Sequence, residues 1–173
     1  AWQQQRAEIV KRATGLTQHL ETLYSPQAGE GLAPDIDKRA FAMFQQRFDR
    51  RDGGFGDAPK FPSPHQYLFL LRYWYRHGDD DALAMVEQSL RAMRLGGIFD
   101  HVGLGFHRYS TDKSWLLPHF EKMLYDQAML IMAYSETYGV TGDRFYRQTA
   151  EELIEYTLTR MRHPEGGFFS AED

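Results

Sequence analysis

GGIFDHVGLGFHRYSTDKSWLLPHFEKMLYD, residues 96–126, decides how this 173-residue chain folds. It carries three of the seven histidines, one of the three tryptophans, and a close group of Asp, Glu and Lys. A segment apolar almost all round follows at once, QAMLIMAY. Polar chemistry gathered where a buried helix begins is the pattern of a pocket mouth.

The flanks read as helices of two kinds. Before the stretch, Asp80–Leu95 is amphipathic, with Leu83, Val86, Leu90 and Met93 on one face and an acidic first turn that suits the dipole. Ahead of it, Pro64–His77 leaves only Arg72 polar in its middle, as a buried helix does. Ser63 is its expected N-cap, Pro64 its first residue and Gly78 its C-terminal glycine. Further back stand a helix from about Ile36 to Asp49 with a Phe41, Phe44, Phe48 stripe, and a leading helix over Trp2–Tyr24. SPQAGEGLAP separates those two. After the stretch, a buried helix is predicted from about His119 to Tyr138, then GVTGD, then an amphipathic helix over Arg144–Arg162.

A repeat emerges. Amphipathic helix, Gly-Gly loop, buried helix and short Gly-and-Asp turn recur around Gly53-Gly54, Gly96-Gly97 and Gly166-Gly167. Alternating buried and amphipathic helices imply an inner and an outer layer that curve around an axis, with every Gly-Gly loop at one end. The predicted fold is therefore all-α, a partial α/α toroid, with one short β-hairpin near 98–110. It is read as a single domain over 1–173, with 1–24 as leading helix and 35–173 as helical hairpins.

Composition narrows the function. A net charge of −4 gives no footprint for nucleic acid, and no apolar run approaches a membrane span. With no cysteine, thiolate chemistry and Cys-ligated zinc are excluded within this chain, and a cytoplasmic home is the default expectation. No cofactor is implied. Aromatics make up 14%, many beside the Gly-containing loops, which suits stacking on ring-shaped ligands as well as core filling.

The candidate residues follow from spacing. A three-residue turn at Gly103–Gly105 would set His101 opposite His107 and Asp100 opposite Arg108. Such a histidine pair either serves a site or is a structural pair; a metal is not assigned, because no third ligand has suitable spacing. At 100° per residue, His119, Lys122 and Asp126 would share one wedge of the fifth helix, with Glu121 beside it. These residues either supply acid–base chemistry or form a plain Lys122–Asp126 helix pair with His119 as cap. Catalytic candidates are thus His101, His107, His119, Glu121 and Asp126. Substrate-binding candidates are Phe55, Asp57, Lys60, His65, Trp115 and Lys122, with Phe61 as a further wall of the 52–62 loop.

GGFGDAPKFPSP, the stretch GGIFDHVGLGFHRYSTDKSWLLPHFEKMLYDQA and EGGFFSAED, in this order, resemble the helical portion of the DUF255 or spermatogenesis-associated protein 20-like family. The resemblance implies a toroid similar to N-acylglucosamine 2-epimerases and six-hairpin glycosidases, joined in cis to a thioredoxin-like domain that this chain lacks. It implies no established reaction. The chain then reads as an internal piece, about half a ring, whose open edge would favour self-association. The intact form is expected to bind or act on a carbohydrate-like substrate, as an epimerase or a glycosidase would. The alternative is a non-catalytic glycan- or protein-binding module, with this piece itself inactive.

Overall fold

The computed structural model describes residues 2–25, 29 and 31–173. The chain divides into two units, Ala1–Ile36 and Asp37–Asp173. The first holds α1 (Trp2–Tyr24), which breaks helical geometry at Gln5 and buries none of its residues. Its apolar stripe, Leu16, Leu20 and Leu23 included, is exposed. The Pro- and Gly-rich break after it lies partly outside the described residues, at 26–28 and 30.

The second unit is helical and layered. In chain order it contains α2 (Ile36–Arg47, its first residue on the boundary), α3 (Pro64–His77), α4 (Asp80–Leu95), α5 (Leu124–Thr141) and α6 (Arg144–Tyr156), which runs into a π-helical turn over Thr157–Met161. Four two-residue strands punctuate the loops: β1 (Tyr109–Ser110), β2 (Pro118–His119), β3 (Lys122–Met123) and β4 (Ala171–Glu172). The helix α3 packs on both α4 and α5, and α5 packs on α6. Hence α3 and α5 form the inner pair, with the amphipathic α4 and α6 outside them. This is the α/α-toroid arrangement, with strand pairing confined to loops.

Burial follows residue type. Tyr67, Leu70, Val86, Leu90, Met93, Leu130, Tyr134, Tyr146 and Leu153 are among the residues fully withdrawn from water. The buried phenol of Tyr134 donates to the Leu90 carbonyl at 2.7 Å, so its polar end costs little. Caps end the helices cleanly. Asp79 accepts from Asp81 N at 3.1 Å, Asp143 accepts from Phe145 N at 2.9 Å, and Gly78 and Gly142 are left-handed.

Several expectations need correction. Ser63 does not cap α3: it adopts φ 46°, ψ 54°, and its hydroxyl makes no capping bond. The inner helices are not sealed all round, since Tyr75, Tyr125 and Met132 are exposed. Most important, the fifth helix starts at Leu124, not His119. Pro118 and His119 instead pair antiparallel with Ser110 and Tyr109, and Lys122 and Met123 with Glu172 and Ala171. Long-range strand pairing has won over local helical spacing.

The hairpin register also differs. Phe99, not His101, bridges across, and to Phe106. The carboxylate of Asp100 accepts from Val102 N and Gly103 N, while Asp100 N donates to the Gly105 carbonyl. That Asx-type turn places the reversal at 100–105, so His101 and His107 do not face each other.

Candidate active site

The first two Gly-Gly loops are locked together beneath the inner helices. Trp115 donates its indole N–H to the Asp52 carbonyl at 2.9 Å, and Gly54 N donates to Ser89 Oγ at 2.8 Å. Lys60 is fully buried, and its ammonium donates to Asp49 Oδ2, the Gly53 carbonyl and the Lys113 carbonyl, each at 2.8 Å. Burial would raise the Asp49 carboxyl, but Lys60 and the amides of Asp52 and Arg51 more than offset it and hold it at about 2. Lys60 and Trp115, expected to touch substrate, are therefore internal braces of the loop end.

Lys122 is a brace too. It donates to Asp100 Oδ2 at 2.7 Å and the Leu104 carbonyl at 2.8 Å, and lies over the Tyr156 ring. Its partner is Asp100, so the Lys122–Asp126 pair does not form. At Asp100, too, burial pushes up and Lys122 with the turn amides pulls down harder, leaving the carboxyl at about 2.

The five acid–base candidates separate in space. At the exposed tip, His101 receives a hydrogen bond from Arg94 at 3.3 Å and gives one to the Gly96 carbonyl at 3.0 Å, so it belongs to the end of α4. His107 is buried, its Nδ1 has no partner among the described residues, and the ring meets Phe120 edge-on. Burial lowers its pKa, as do Lys122 and His119, against an opposing pull from Asp100. His119 stands edge-on to Tyr109, whose other neighbour is Phe61 at 4.9 Å. Glu121 is held by Arg108 at 2.8 Å.

Asp126 is different. It is 7% exposed, and its carboxylate makes no hydrogen bond among the described residues. Burial raises its pKa to about 6, an effect that the positive charge of Arg108 only partly counters. It lines a cavity of about 230 Å³ with His65, Tyr125, Phe61, Ser63 and Met129. The cavity lies between the N-terminal ends of α3 and α5, which supply His65 and Asp126 from their first turns.

A carboxyl with a raised pKa thus shares one cavity with an imidazole and two exposed aromatic rings, a setting that offers proton transfer. Phe55 and Asp57 lie next door. Phe55 is half-buried among Phe44, Phe48 and Tyr67, and Asp57 is exposed; both line an adjoining cavity of about 280 Å³. Tyr125 carries no signal of its own in the sequence, Arg108 pairs with Glu121 rather than with Asp100, and Ser63 lines the cavity instead of capping α3. The repeat of a Gly-Gly loop followed by the first turn of a buried helix is the signal in the sequence that could bring His65 and Asp126 together. Among the described residues, no group of three or more His, Cys, Asp or Glu is disposed to hold a metal. Among the described residues, no helix is long and apolar enough to cross a membrane.

No family model matches the chain. It is similar to spermatogenesis-associated protein 20 of Homo sapiens, 40% identical over 180 residues that cover 99% of this chain and 23% of that protein. The Mus musculus protein of the same name is 45% identical over 145 residues, covering 82% of this chain and 18% of that one. The chain thus spans about a quarter or less of the length of the curated relatives it matches. Among solved structures it resembles cellobiose 2-epimerase from Bacillus thermoamylovorans, with a TM-score of 0.70 at 17% identity over 80% of this chain and 40% of that one. A family 76 glycoside hydrolase (mannosidase) from Bacteroides thetaiotaomicron matches with a TM-score of 0.66 at 14% identity, over 79% of this chain and 38% of that one. These likenesses show an α/α-toroid fold shared with carbohydrate epimerases and glycoside hydrolases.

Proposed function

We propose that this chain forms the ligand-binding end of a toroid protein that acts on a carbohydrate-like substrate by proton transfer, in the manner of an epimerase. The observation that carries the reading is Asp126: largely buried, without a hydrogen-bond partner among the described residues, its pKa raised to about 6, and lining a cavity with His65 and aromatic walls. Near neutral pH such a carboxyl exchanges protons readily, so it serves as base toward a carbon acid and as acid on the return. His65 is the group placed to act from another wall of the cavity. Phe61 and Tyr125 offer faces to the apolar side of a sugar ring.

Hydrolysis is the less supported chemistry. It requires a second carboxyl acting on the same bond. Glu121 is engaged by Arg108, and Asp57 is exposed in the neighbouring cavity. The fold of the solved neighbours makes a sugar ligand reasonable, but a fold alone does not choose a reaction. In this reading the site serves a longer protein, in which a thioredoxin-like domain stands in cis.

Deuterium exchange tests the reaction. The full-length protein, incubated in D₂O with a panel of reducing sugars, is expected to place deuterium at C2, detected by proton NMR. Asp126→Asn should slow exchange by about 100-fold or more, with a wild-type rate profile that bends near pH 6. Unchanged exchange in Asp126→Asn removes this carboxyl from the chemistry. Sugar binding without exchange would leave a binding module in place of an enzyme.

A further inference from the structure

The turn over 48–55 is built again over 99–106. Phe48 bridges to Phe55 as Phe99 does to Phe106. Asp49 N donates to the Gly54 carbonyl and Asp100 N to the Gly105 carbonyl, both at 2.9 Å. Each aspartate accepts on one oxygen from the amides two and three residues on, and on the other from a buried lysine, Lys60 or Lys122. The second copy shows which side chains such a turn needs. Arg47 and Arg50 are not among them, since Ile98 and His101 stand in their places there.

Those two arginines, with Lys113, line a cleft of about 640 Å³ beside the first turn. All three are exposed, and their backbones are pinned. The Arg47 carbonyl accepts from Gly56 N at 3.1 Å, that of Arg50 from Gln88 Nε2 at 2.8 Å, and that of Lys113 from Lys60 Nζ at 2.8 Å. Their charged ends have no such anchor. Arg72, Arg91, Arg94 and Arg108 each hold a carboxylate, but Arg47, Arg50 and Lys113 make no ion pair among the described residues. Arg47 ends α2, where a cation suits the helix dipole. That reason does not extend to Arg50 and Lys113, which lie outside any helix.

The carboxylates of the cleft do not supply the missing partners. Asp49 is engaged by Lys60 and the turn amides. Three cations therefore face one free carboxylate, Asp57, an excess of two positive charges in a chain whose net charge is −4. Like charges held together repel, and a bound anion relieves that repulsion. Guanidinium forks match the oxygens of phosphate, which carries close to two negative charges at neutral pH. The cleft also has the size of ordinary small-ligand sites, roughly 300–1,000 Å³.

We infer that this cleft binds the dianionic phosphate group of a small molecule, with Arg47 and Arg50 gripping the oxygens and Lys113 as a third positive charge. It shares no lining residue with the Asp126 cavity and does not depend on the carbohydrate reading.

Isothermal titration of the full-length protein at pH 8 with inorganic phosphate, glycerol 3-phosphate and glycerol tests the inference. Both phosphates are expected to bind and glycerol is not. Tighter binding of the ester assigns the group to an organic ligand, and equal binding assigns it to free phosphate; either supports the site. Combined Arg47→Gln and Arg50→Gln should weaken phosphate binding at least about tenfold. Arg51→Gln, which removes an exposed cation of the same turn that does not line the cleft, should leave the Kd within about twofold. Wild-type protein that binds neither phosphate overturns the site. So does an equal loss in Arg51→Gln, which would mean diffuse charge attraction. A hexaglutamate peptide that binds more tightly than either phosphate would overturn it in favour of an acidic protein segment.

Discussion

Lys60 is withdrawn from water and has three oxygens around its ammonium, whereas Asp126, 7% exposed, has no hydrogen-bond partner among the described residues. The first arrangement stabilises a loop; the second costs stability and leaves a group free to react. The sign of that cost follows from linkage. The folded carboxyl of Asp126 titrates at about 6, against 3.8 for its ordinary value. The folded protein therefore holds this proton more tightly than the unfolded chain. Above about pH 6 the folded state carries the full penalty of a buried charge, and below about 3.8 it carries none. Asp126→Asn is accordingly expected to stabilise the protein at pH 8 by on the order of 1–3 kcal/mol, an advantage that disappears by pH 4. Thermal melting of both proteins across that range checks it. A variant less stable than wild type at pH 8 would show that the carboxylate is structurally partnered after all.

At the scale of elements, the glycine turns fix where the inner helices begin. Gly54 has φ +77°, and a Cβ placed on it would lie 2.5 Å from the Trp115 ring, a buried side chain with no room to retreat. Gly54→Ala should cost more than about 2 kcal/mol through backbone strain and overpacking together, measured by urea unfolding; a loss under about 0.5 kcal/mol would mean the two loops are not locked as described. Helices with strong local signals were legible in the sequence: α4 begins and ends where its acidic first turn and Gly96 say, and α3 where Pro64 and Gly78 say. The stretch from His101 to Met123 was not. The spacing of His119, Lys122 and Asp126 mimics a helix, but Tyr109 and Glu172 pair with His119 and Lys122 from outside the local window. Two-residue strands carry no periodicity to read. The hairpin register failed for a related reason, since Asp100 both closes its turn and holds Lys122, and only the second contact is long-range. Asp126 was read from that wedge as one of five candidates, and the helix that in fact begins at Leu124 keeps it in a first turn.

At the scale of the molecule, residues 37–173 set an inner pair of helices against outer ones, and both inner helices open toward one loop-covered end. Structures with this fold include an epimerase and a mannosidase, so the chemistry must be read from the site. The chemistry turns on one group. Asp126 is held to be a desolvated carboxyl in a sugar-binding cleft, and its titration can be followed directly by carbon NMR of the full-length protein labelled at aspartate. An inflection at about 6 that moves when a binding sugar is added is the expected result. A carboxyl that titrates in the ordinary aspartate range, and does not respond to any sugar, would contradict it.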